Sequence, residues 1–335
     1  MPRATKLAVA MALLALVAVV GALAGCGSSS SSGASSSASP AAKAYKIGIT
    51  QIVTHPALDA AVAGFKEALA EKGFTNVTYD MQNAQGDMAT ASTIAQKFAG
   101  EGLDLILGVA TPTTQAVVKA DTTTPIVFTA VTDPVGAGLV TDPAAPTGNV
   151  TGVSDMLPVQ PHLDLIKAIV PNVKSVGVIY NAGESNSVFL IKAEKAAAAK
   201  MGIKIVDATA STSSEVQAAA QSLVGRVQAI SVLTDNTAVS ALESIIKVGQ
   251  QNKIPVIAGD TDSVKRGAVA AYAFDYKDLG KQAGYQAAKI LGGTPIKDIP
   301  VEYAKNLQLS INPTAAKAMG VTIPADVTAK ANNTF

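Results

Sequence analysis

The sequence is poor in the residues that build disulfide frameworks and metal sites. Its 335 residues include one cysteine, two histidines and no tryptophan. A single cysteine excludes an intrachain disulfide framework and any zinc site with several cysteine ligands. Two histidines leave little material for a histidine metal cage. We therefore predict that the protein carries no metal and no cofactor.

A charge excess and catalytic motifs are also lacking. Lysine plus arginine number 26 and aspartate plus glutamate 25, whereas nucleic-acid-binding proteins usually carry a basic excess. The sequence contains no Gly-x-Ser-x-Gly elbow, His-Glu-x-x-His, P-loop or Gly-x-Gly-x-x-Gly. These absences argue against a nucleic-acid partner and against an enzyme. The apolar fraction of 48% argues against global disorder, and the length suits about two domains.

The first 25 residues are typical of an export signal. Arg3 and Lys6 form a positively charged segment, and an apolar run follows from Leu7 to Leu23. This order is that of a signal peptide. The apolar run is also close to the lower length limit of a membrane span, so a transmembrane anchor is the alternative.

The residues after the apolar run favour a lipid anchor. Leu23-Ala24-Gly25-Cys26 is similar to a lipobox, the bacterial motif whose cysteine is lipidated and becomes the new N-terminus. We expect residues 26–44, rich in Ser, Gly and Ala, to be a flexible tether. The protein would then lie outside the cytoplasm and touch the membrane only through its lipid. A plain signal peptide with a chance cysteine is the alternative explanation.

From Tyr45 onward, short apolar runs alternate with amphipathic helical stretches. This alternation predicts parallel sheets that are covered by helices on both faces. The pattern recurs at an offset of roughly 130 residues, which indicates an internal repeat. We predict an α/β protein with two Rossmann-like lobes. The predicted strands are 46–50, 77–81, 103–109 and 125–131 in the first half, and 175–180, 204–208, 228–233 and 255–258 in the second.

The last segments allow the chain to cross between the lobes more than once. Further strands are predicted at 269–274, 299–303 and 307–311, with a helix at 277–291. Several crossings form a hinge, and the cleft between the lobes is the natural ligand site. We predict an N-terminal lobe of residues 45–155 and 275–303, a C-terminal lobe of 156–274 and 304–324, and a loose tail of 325–335.

Polar side chains concentrate at the predicted carboxyl ends of the strands, where parallel α/β sheets bind ligands. Thr111 and Thr113 at a helix N-terminus form a candidate carboxylate site. Asp235 and Asp260 on the opposite lobe are candidate partners for an ammonium group. A ligand with both charges, such as an α-amino acid, would bridge the lobes. The other candidate ligand-binding residues are Thr50, Gln51, His55, Asn83, Gln85, Thr129, Asp133, Tyr180, Asn181, Asn186, Ser187, Thr234, Asn236 and Thr261.

Helix capping and core packing are the competing explanations for these residues. Threonine and aspartate before a helix are common N-caps, and a neutral histidine at position 55 could equally cap a loop. Aromatic side chains near the strand ends could line an apolar pocket, although such residues more often belong to the core. These aromatic residues are Phe128, Tyr180, Phe274 and Tyr276.

Several blocks of the body share sequence with one family. They are Ile47–Val53, His55–Asp59, Gln82–Asp87 (QNAQGD), Ile94–Phe98, Ala110–Pro112, Val127–Val140 (VFTAVTDPVGAGLV), Gly152–Met156 (GVSDM), Thr234–Thr237 (TDNT) and Gly259–Gly267 (GDTDSVKRG). They resemble the substrate-binding lipoproteins of ABC transporters, in the family that includes tryptophan- and tyrosine-type binding proteins. The resemblance covers residues 45 to 324. It implies a type I periplasmic-binding fold, with two α/β lobes joined by three crossovers.

The resemblance also implies a function. Such a protein is an extracytoplasmic receptor that captures a solute and delivers it to a permease with a cytoplasmic ATPase. We therefore predict a monomeric, lipid-anchored solute-binding component of an ABC importer, with a hydrophobic or aromatic amino acid as its zwitterionic solute. A ligand-sensing partner of a membrane receptor is the alternative on the same fold, and an exported enzyme is less favoured.

Overall fold

The computed structural model describes residues 43–335, in which strands and helices alternate. The predicted signal peptide, Cys26 and most of the predicted tether lie outside the described residues. Six parallel strands form the first sheet. They are β1 (Tyr45–Gln51), β2 (Val77–Asn83), β3 (Leu105–Val109), β4 (Ile126–Val131), β5 (Val150–Ser154) and β11 (Glu302–Tyr303). Their order across the sheet is β11-β5-β4-β3-β1-β2.

The first sheet and its helices form what we call the N-terminal lobe. Its central strands are continuous apolar runs, such as LILGV in β3, and every residue of β3 and β4 is buried. This pattern is expected of parallel strands whose two faces are both covered. The helices of this lobe are α1 (Pro56–Glu71), α2 (Met88–Ala99), α3 (Thr111–Ala120) and α10 (Tyr276–Leu291).

The second sheet has seven strands in the described residues. They are β6 (Ser175–Tyr180), β7 (Lys204–Thr209), β8 (Ala229–Val232), β9 (Val256–Ala258), β10 (Ala270–Phe274), β12 (Leu307–Ile311) and β13 (Asn333–Thr334). Their order across the sheet is β13-β12-β10-β9-β8-β6-β7. Within this described sheet, the pair β10–β12 is antiparallel and the other pairs are parallel.

The second sheet and its helices form what we call the C-terminal lobe. Five strands of each sheet follow the same order, β2-β1-β3-β4-β5 in one and β7-β6-β8-β9-β10 in the other. The predicted α/β class with two Rossmann-like lobes is confirmed. The helices are α4 (Val159–Ile169), α5 (Ser185–Lys200), α6 (Val216–Ser222), α7 (Asn236–Ser240), α8 (Leu242–Asn252), α9 (Thr261–Lys265), α11 (Pro313–Ala318) and α12 (Ala325–Ala329).

The described chain crosses between the lobes at three places. It leaves β5 at Asp155, enters α10 at Asp275, and passes from β11 to β12 through residues 304–306. Helix α10 follows a strand of the C-terminal lobe but packs on α1 of the N-terminal lobe. The two helix backbones touch, since a Cβ atom on Gly280 would lie only 1.9 Å from the carbonyl oxygen of Ala61. Only glycine permits so close an approach.

The C-terminal segment differs from the loose tail that the sequence predicted for residues 325–335. Residues 325–329 form α12, and β13 pairs in parallel with β12. The backbone N–H of Leu309 donates a 2.8 Å hydrogen bond to Oδ1 of Asn332, and Val327 is buried. The segment is therefore an edge of the second sheet. Within residues 43–335, no helix combines the length and the apolarity needed to cross a membrane.

Candidate ligand-binding cleft

The carboxyl ends of both sheets face a cleft between the lobes. Its inner part is a small cavity to which the N-terminal lobe, the C-terminal lobe and the crossings all contribute. The cavity is lined by His55, Ala57, Leu58, Ala130, Asp155, Thr234, Asp235, Asn236, Val239, Asp260 and Tyr276. Three of these residues are aspartates, and no lysine or arginine lines the cavity.

A wider groove of about 530 Å³ leads outward from the cleft. Its wall on the N-terminal lobe is partly apolar, with Ile52, Val53, Met88 and Pro112. The wall on the C-terminal lobe is rich in hydroxyl and amide groups, including Asn181, Ser211, Thr212, Thr237 and Ser240. The groove therefore offers an apolar face and a polar face to the same ligand.

Asp235 is held by three donors. Its Oδ1 accepts a hydrogen bond from the N–H of Ala238 at 2.6 Å, which caps α7. Its Oδ2 accepts from the N–H of Asn181 at 2.7 Å and from the hydroxyl of Ser187 at 2.6 Å. Burial, together with the nearby charge of Glu184, raises the pKa of Asp235 to about 7. Asp235 thus lines the cavity and also fixes the loops around it.

Asp260 is a buried N-cap of the short helix α9. Its carboxylate accepts from the N–H of Ser263 at 2.7 Å and from the hydroxyl of the same residue at 2.5 Å. Burial raises the pKa of Asp260, and the positive charge of Arg266 works against that shift. The capping alternative therefore applies to both aspartates that the sequence singled out, although both also line the cavity.

Asp155, which sequence reasoning did not single out, lies at the first crossing. Its Oδ1 accepts from the hydroxyl of Thr132 at 3.0 Å, and its Oδ2 accepts from the hydroxyl of Tyr276 at 2.7 Å. Burial raises the pKa of the Asp155 carboxyl and, with the Asp155 charge, the pKa of the Tyr276 hydroxyl. The sequence held two signals for Asp155: it directly follows the buried strand β5, and it belongs to the GVSDM block of the family resemblance.

His55 connects the two lobes. Its Nδ1 accepts a hydrogen bond from the N–H of Leu58 at 3.4 Å and so caps α1. The proton of the neutral ring is therefore assigned to Nε2. Burial is the main cause that lowers the pKa of His55 to about 3; the charge of Arg266 adds to it, and a side-chain hydrogen bond with Asn236 opposes it. His55 is thus a neutral contact from α1 to the C-terminal lobe.

Glu184 is a second residue that sequence reasoning left out of the site. It is buried beside Asn236, whose Nδ2 donates to Oε2 of Glu184 at 2.5 Å. The hydroxyl of Thr237 donates to Oε1 at 3.1 Å. Glu184 therefore holds the start of α7, and with it the contact that His55 makes.

The N-terminal lobe presents threonine hydroxyls instead of acids. Thr50 lies in β1, Thr129 in β4 and Thr111 at the start of α3, directly beyond β3; these strands are neighbours in the sheet. All three hydroxyls are buried, and none has a hydrogen-bond partner within residues 43–335. Helix α3 also begins without a side-chain cap. Buried polar groups are normally paired, so unpaired hydroxyls are unusual here. The three threonines line neither the inner cavity nor the outer groove, but their neighbours Ala130 and Pro112 do.

The backbone beside these threonines is strained. Ala110 has φ of 76° and Ala130 has φ of 58°, the left-handed region that non-glycine residues rarely adopt. Thr113 behaves differently from Thr111, because its hydroxyl donates to the carbonyl oxygen of Val109 at 2.7 Å, within its own turn. Of the two residues predicted for the carboxylate, Thr111 is the one whose hydroxyl is free within the described chain.

The remaining predicted residues are spread along the cleft. Gln85 and Asn181 line the outer groove. Asp133 and Asn186 line a separate pocket between the lobes, together with Val188 and Phe189. Thr234 lines the inner cavity, and its hydroxyl has no partner within residues 43–335; the same holds for the hydroxyl of Thr261, which begins α9.

Four predicted residues support their neighbours or lie beside the cleft. Gln51 donates to Oδ1 of Asp59 at 2.8 Å, Asn83 donates to the hydroxyl of Thr54 at 2.9 Å, and Ser187 holds Asp235. Tyr180 ends β6 and lines neither the inner cavity nor the outer groove. Of the four aromatic candidates, Tyr276 lines the cavity, whereas Phe128 and Phe274 are buried in the core.

The comparisons with known proteins agree with this architecture. The family model described as "ABC transporter substrate binding protein" matches residues 46–335. A curated relative, the tyrosine-binding protein of Clostridioides difficile (strain R20291), is 42% identical over 280 residues, which are 83% of this chain and 81% of the relative.

Two solved structures add information on the lobes. The ABC domain from Streptococcus pneumonia in complex with L-Trp is 35% identical, covers 88% of this chain and 100% of its own, and gives a TM-score of 0.84. A ligand-free, open substrate-binding protein with adhesive properties from Clostridium difficile is 41% identical, covers 86% of this chain and 98% of its own, and gives a TM-score of 0.65.

The arrangement of the lobes is therefore similar to that of the L-Trp complex and differs from the open form, although the open protein is the more similar of the two in sequence. Together with the contact of His55 to the C-terminal lobe, this describes a closed cleft. The predicted type I periplasmic-binding fold is confirmed. Proteins of this kind work outside the cytoplasm and pass a small molecule to a membrane permease. The chain belongs to the family of ABC transporter substrate-binding proteins.

Proposed function

We propose that the protein captures an aromatic amino acid, with tyrosine and tryptophan as the first candidates. The relatives named for tyrosine and solved with L-Trp support this choice of side chain. The protein would be the extracytoplasmic, monomeric receptor of an importer with a permease and a cytoplasmic ATPase. The lipobox supports a lipid anchor at Cys26 as part of the same proposal.

The opposite chemistry of the two sides of the cleft carries the proposal. The N-terminal lobe offers hydrogen-bond donors, namely the hydroxyls of Thr50, Thr111 and Thr129 and the uncapped start of α3. Such a helix N-terminus favours a carboxylate. The inner cavity offers three buried aspartates and no cationic side chain of its own. A buried carboxylate needs a positive partner, and the α-ammonium group of an amino acid supplies one.

The apolar residues of the cleft suit a ring. Leu58 and Val239 line the inner cavity, and Ile52, Val53 and Met88 line the outer groove. The hydroxyl and amide groups on the opposite wall of the groove can pair with a phenol or an indole N–H. Ligand that bridges the lobes favours the closed state over the open one, and the closed surface is what a permease would recognise.

Binding of the free amino acid tests the proposal. Because the protein has no tryptophan, the indole fluorescence of added L-Trp can be followed without background from the protein. We expect the emission of L-Trp to shift to the blue on binding, and L-Tyr to compete for the same site. Tyrosine amide, which lacks the carboxylate, should bind at least about tenfold more weakly, because hydrogen bonds to a charged group are lost.

Two results would contradict the proposal. One is the absence of any spectral shift or competition with the aromatic amino acids. The other is equal affinity for tyrosine and tyrosine amide, since the cleft would then make no favourable contact with the carboxylate. Glucose and myo-inositol serve as matched controls for nonspecific binding, because they carry neither charge.

A further inference from the structure

We propose that Asp155 is the residue that binds the ammonium group of the solute. This inference rests on the proposed function, in which the solute is an amino acid. Asp155 is 2% exposed, lines the inner cavity and lies at the first crossing between the lobes. It is therefore at a different place in the fold from Asp235 and Asp260, the two aspartates that the sequence points to.

The hydrogen bonds of the three aspartates separate their roles. Asp235 already accepts from three donors, two of them backbone N–H groups, and it lies at the N-terminus of α7. Asp260 accepts from the N–H and the hydroxyl of Ser263 in its own helix and is influenced by the charge of Arg266. Both carboxylates thus accept backbone N–H groups within the C-terminal lobe, and these hydrogen bonds oppose the rise in pKa that burial causes.

Asp155 has only neutral donors. In the described residues they are the hydroxyls of Thr132 and Tyr276 and the backbone N–H of Asp155 itself. No helix begins at Asp155, since α4 starts four residues later at Val159, and no cationic side chain contributes to the pKa shift of Asp155. A carboxylate has about four lone-pair sites, so capacity remains for a donor from the cavity. An ammonium group supplies both the donors and the missing charge.

The position of Asp155 also connects ammonium binding to closure. Thr132 follows β4 in the N-terminal lobe, whereas Tyr276 is the first residue of α10, directly after the second crossing. Asp155 thus joins two crossings through one carboxylate. An ammonium group bound to this carboxylate orders the hinge itself, in addition to bridging the two sides of the cleft.

A cycle of ligand and protein variants tests the assignment. The ligands are L-tyrosine and 3-(4-hydroxyphenyl)propanoate, which lacks only the amine. The variants are Asp155→Asn, with Asp235→Asn and Asp260→Asn as matched controls, and affinity is measured by calorimetry at pH 7.5. We expect Asp155→Asn to weaken tyrosine binding roughly 100-fold, the effect of removing one partner of a buried charge pair. Binding of the desamino ligand should change less than about threefold, the usual effect of losing no direct contact. The two controls should keep the preference for the amine.

The outcomes separate the two proposals. If the unaltered protein binds neither ligand, the proposed function fails. If it prefers tyrosine and that preference survives in Asp155→Asn, or disappears in Asp260→Asn or Asp235→Asn, the assignment to Asp155 is overturned while the function stands. A crystal structure of the unaltered protein with L-tyrosine gives an answer that does not depend on the folding of any variant. The amine nitrogen should lie within hydrogen-bond distance of an Asp155 carboxylate oxygen, and an amine held only by Asp235 or Asp260 would refute the assignment.

Discussion

The two sides of the cleft are built from the same repeated pattern but differ in chemistry. On the N-terminal lobe the strand ends carry buried threonine hydroxyls without partners in the described residues, at positions 50, 111 and 129. On the C-terminal lobe the strand ends carry buried acids, such as Asp235 and Asp260, whose oxygens are already engaged as helix caps. One side thus offers free donors, and the other offers acceptors that are held in place.

This difference shows how a duplicated architecture can recognise an asymmetric molecule. Strand ends in equivalent positions face each other across the cleft. A change of residue type on one side is therefore enough to place donors at one end of the site and acceptors at the other. A zwitterion has the same polarity. Changes on either side of the cleft test whether this difference in chemistry matters for folding and for binding.

The largest effect is expected on folding, from the buried cap of the C-terminal lobe. Asp235→Ala removes the cap of α7 and leaves the buried donors of Asn181 and Ser187 unpaired. We expect the free energy of unfolding to fall by about 3 kcal/mol, as measured by urea denaturation. The matched control is Asp87→Ala, which removes the exposed cap of α2. An equally small loss in both variants would show that the acids of the C-terminal lobe are not structural.

A weaker effect is expected on ligand affinity when the pH is lowered, because His55 then becomes protonated. Its pKa is lowered to about 3 in the closed form, whereas an exposed histidine has an ordinary pKa near 6.5. A lowered pKa means that the closed form excludes the proton, so closure is favoured above pH 6.5 and opposed as the pH falls below it. Between pH 7.5 and pH 5, ligand affinity should therefore fall by about 30-fold from this group alone.

Other ionisable groups face the same cavity, so a matched variant is needed to isolate His55. Asp155, Asp235, Asp260 and Tyr276 line the cavity, and Arg266 and Glu184 lie nearby. His55→Asn keeps a side-chain acceptor for the cap of α1 but cannot be protonated in this range. The loss of affinity on acidification should be larger in the unaltered protein than in His55→Asn. Identical pH profiles would rule out the histidine as the cause.

The smallest effect is expected from a single donor of the N-terminal lobe. Thr111→Val removes a hydroxyl that has no partner within residues 43–335, so folding should be unchanged while binding of tyrosine weakens about tenfold. Thr114→Val is the control, because the hydroxyl of Thr114 donates to the carbonyl oxygen of Ala110 at 2.8 Å. That variant should affect stability and leave the affinity nearly unchanged. The reverse pattern, measured by thermal unfolding and calorimetry, would contradict the role of Thr111.

The positions of most strands along the chain and the repeat could be predicted from the sequence because both depend on local hydrophobic patterns. Buried parallel strands such as β3 and β4 are short apolar runs, and each is followed by a polar strand end and a helix. The C-terminal segment could not be predicted in this way. Its single buried residue of note is Val327, and its position depends on the side-chain amides of Asn332 and Asn333, which contact β12. Such contacts leave no periodic pattern.

The place of the candidate site could be predicted from the strand ends, whereas the contacts of its residues could not. Asp235, Asp260 and Asn236 were all predicted as candidates, and in the structure they line one cavity. The strand ends did not distinguish Thr111 from Thr113, because the difference lies in whether a hydroxyl turns back to its own helix. The environment of Asp155 could not be predicted, because its partners Thr132 and Tyr276 are far from it along the chain. Only the folded chain brings these partners together.

The glycine contacts between α1 and α10 have a consequence for how this receptor can change. Because the backbones of the two helices meet without side chains between them, α10 cannot slide or tilt on its neighbour without a clash, so it moves as part of the N-terminal lobe. Rotation between the lobes is then confined to a few residues beside Asp275 and at the other two linkers. Substitutions on the faces of the cleft can therefore alter solute preference while the pivot stays intact. A residue larger than glycine at position 280 would push α10 away from α1 and so change the pivot itself, whatever the solute.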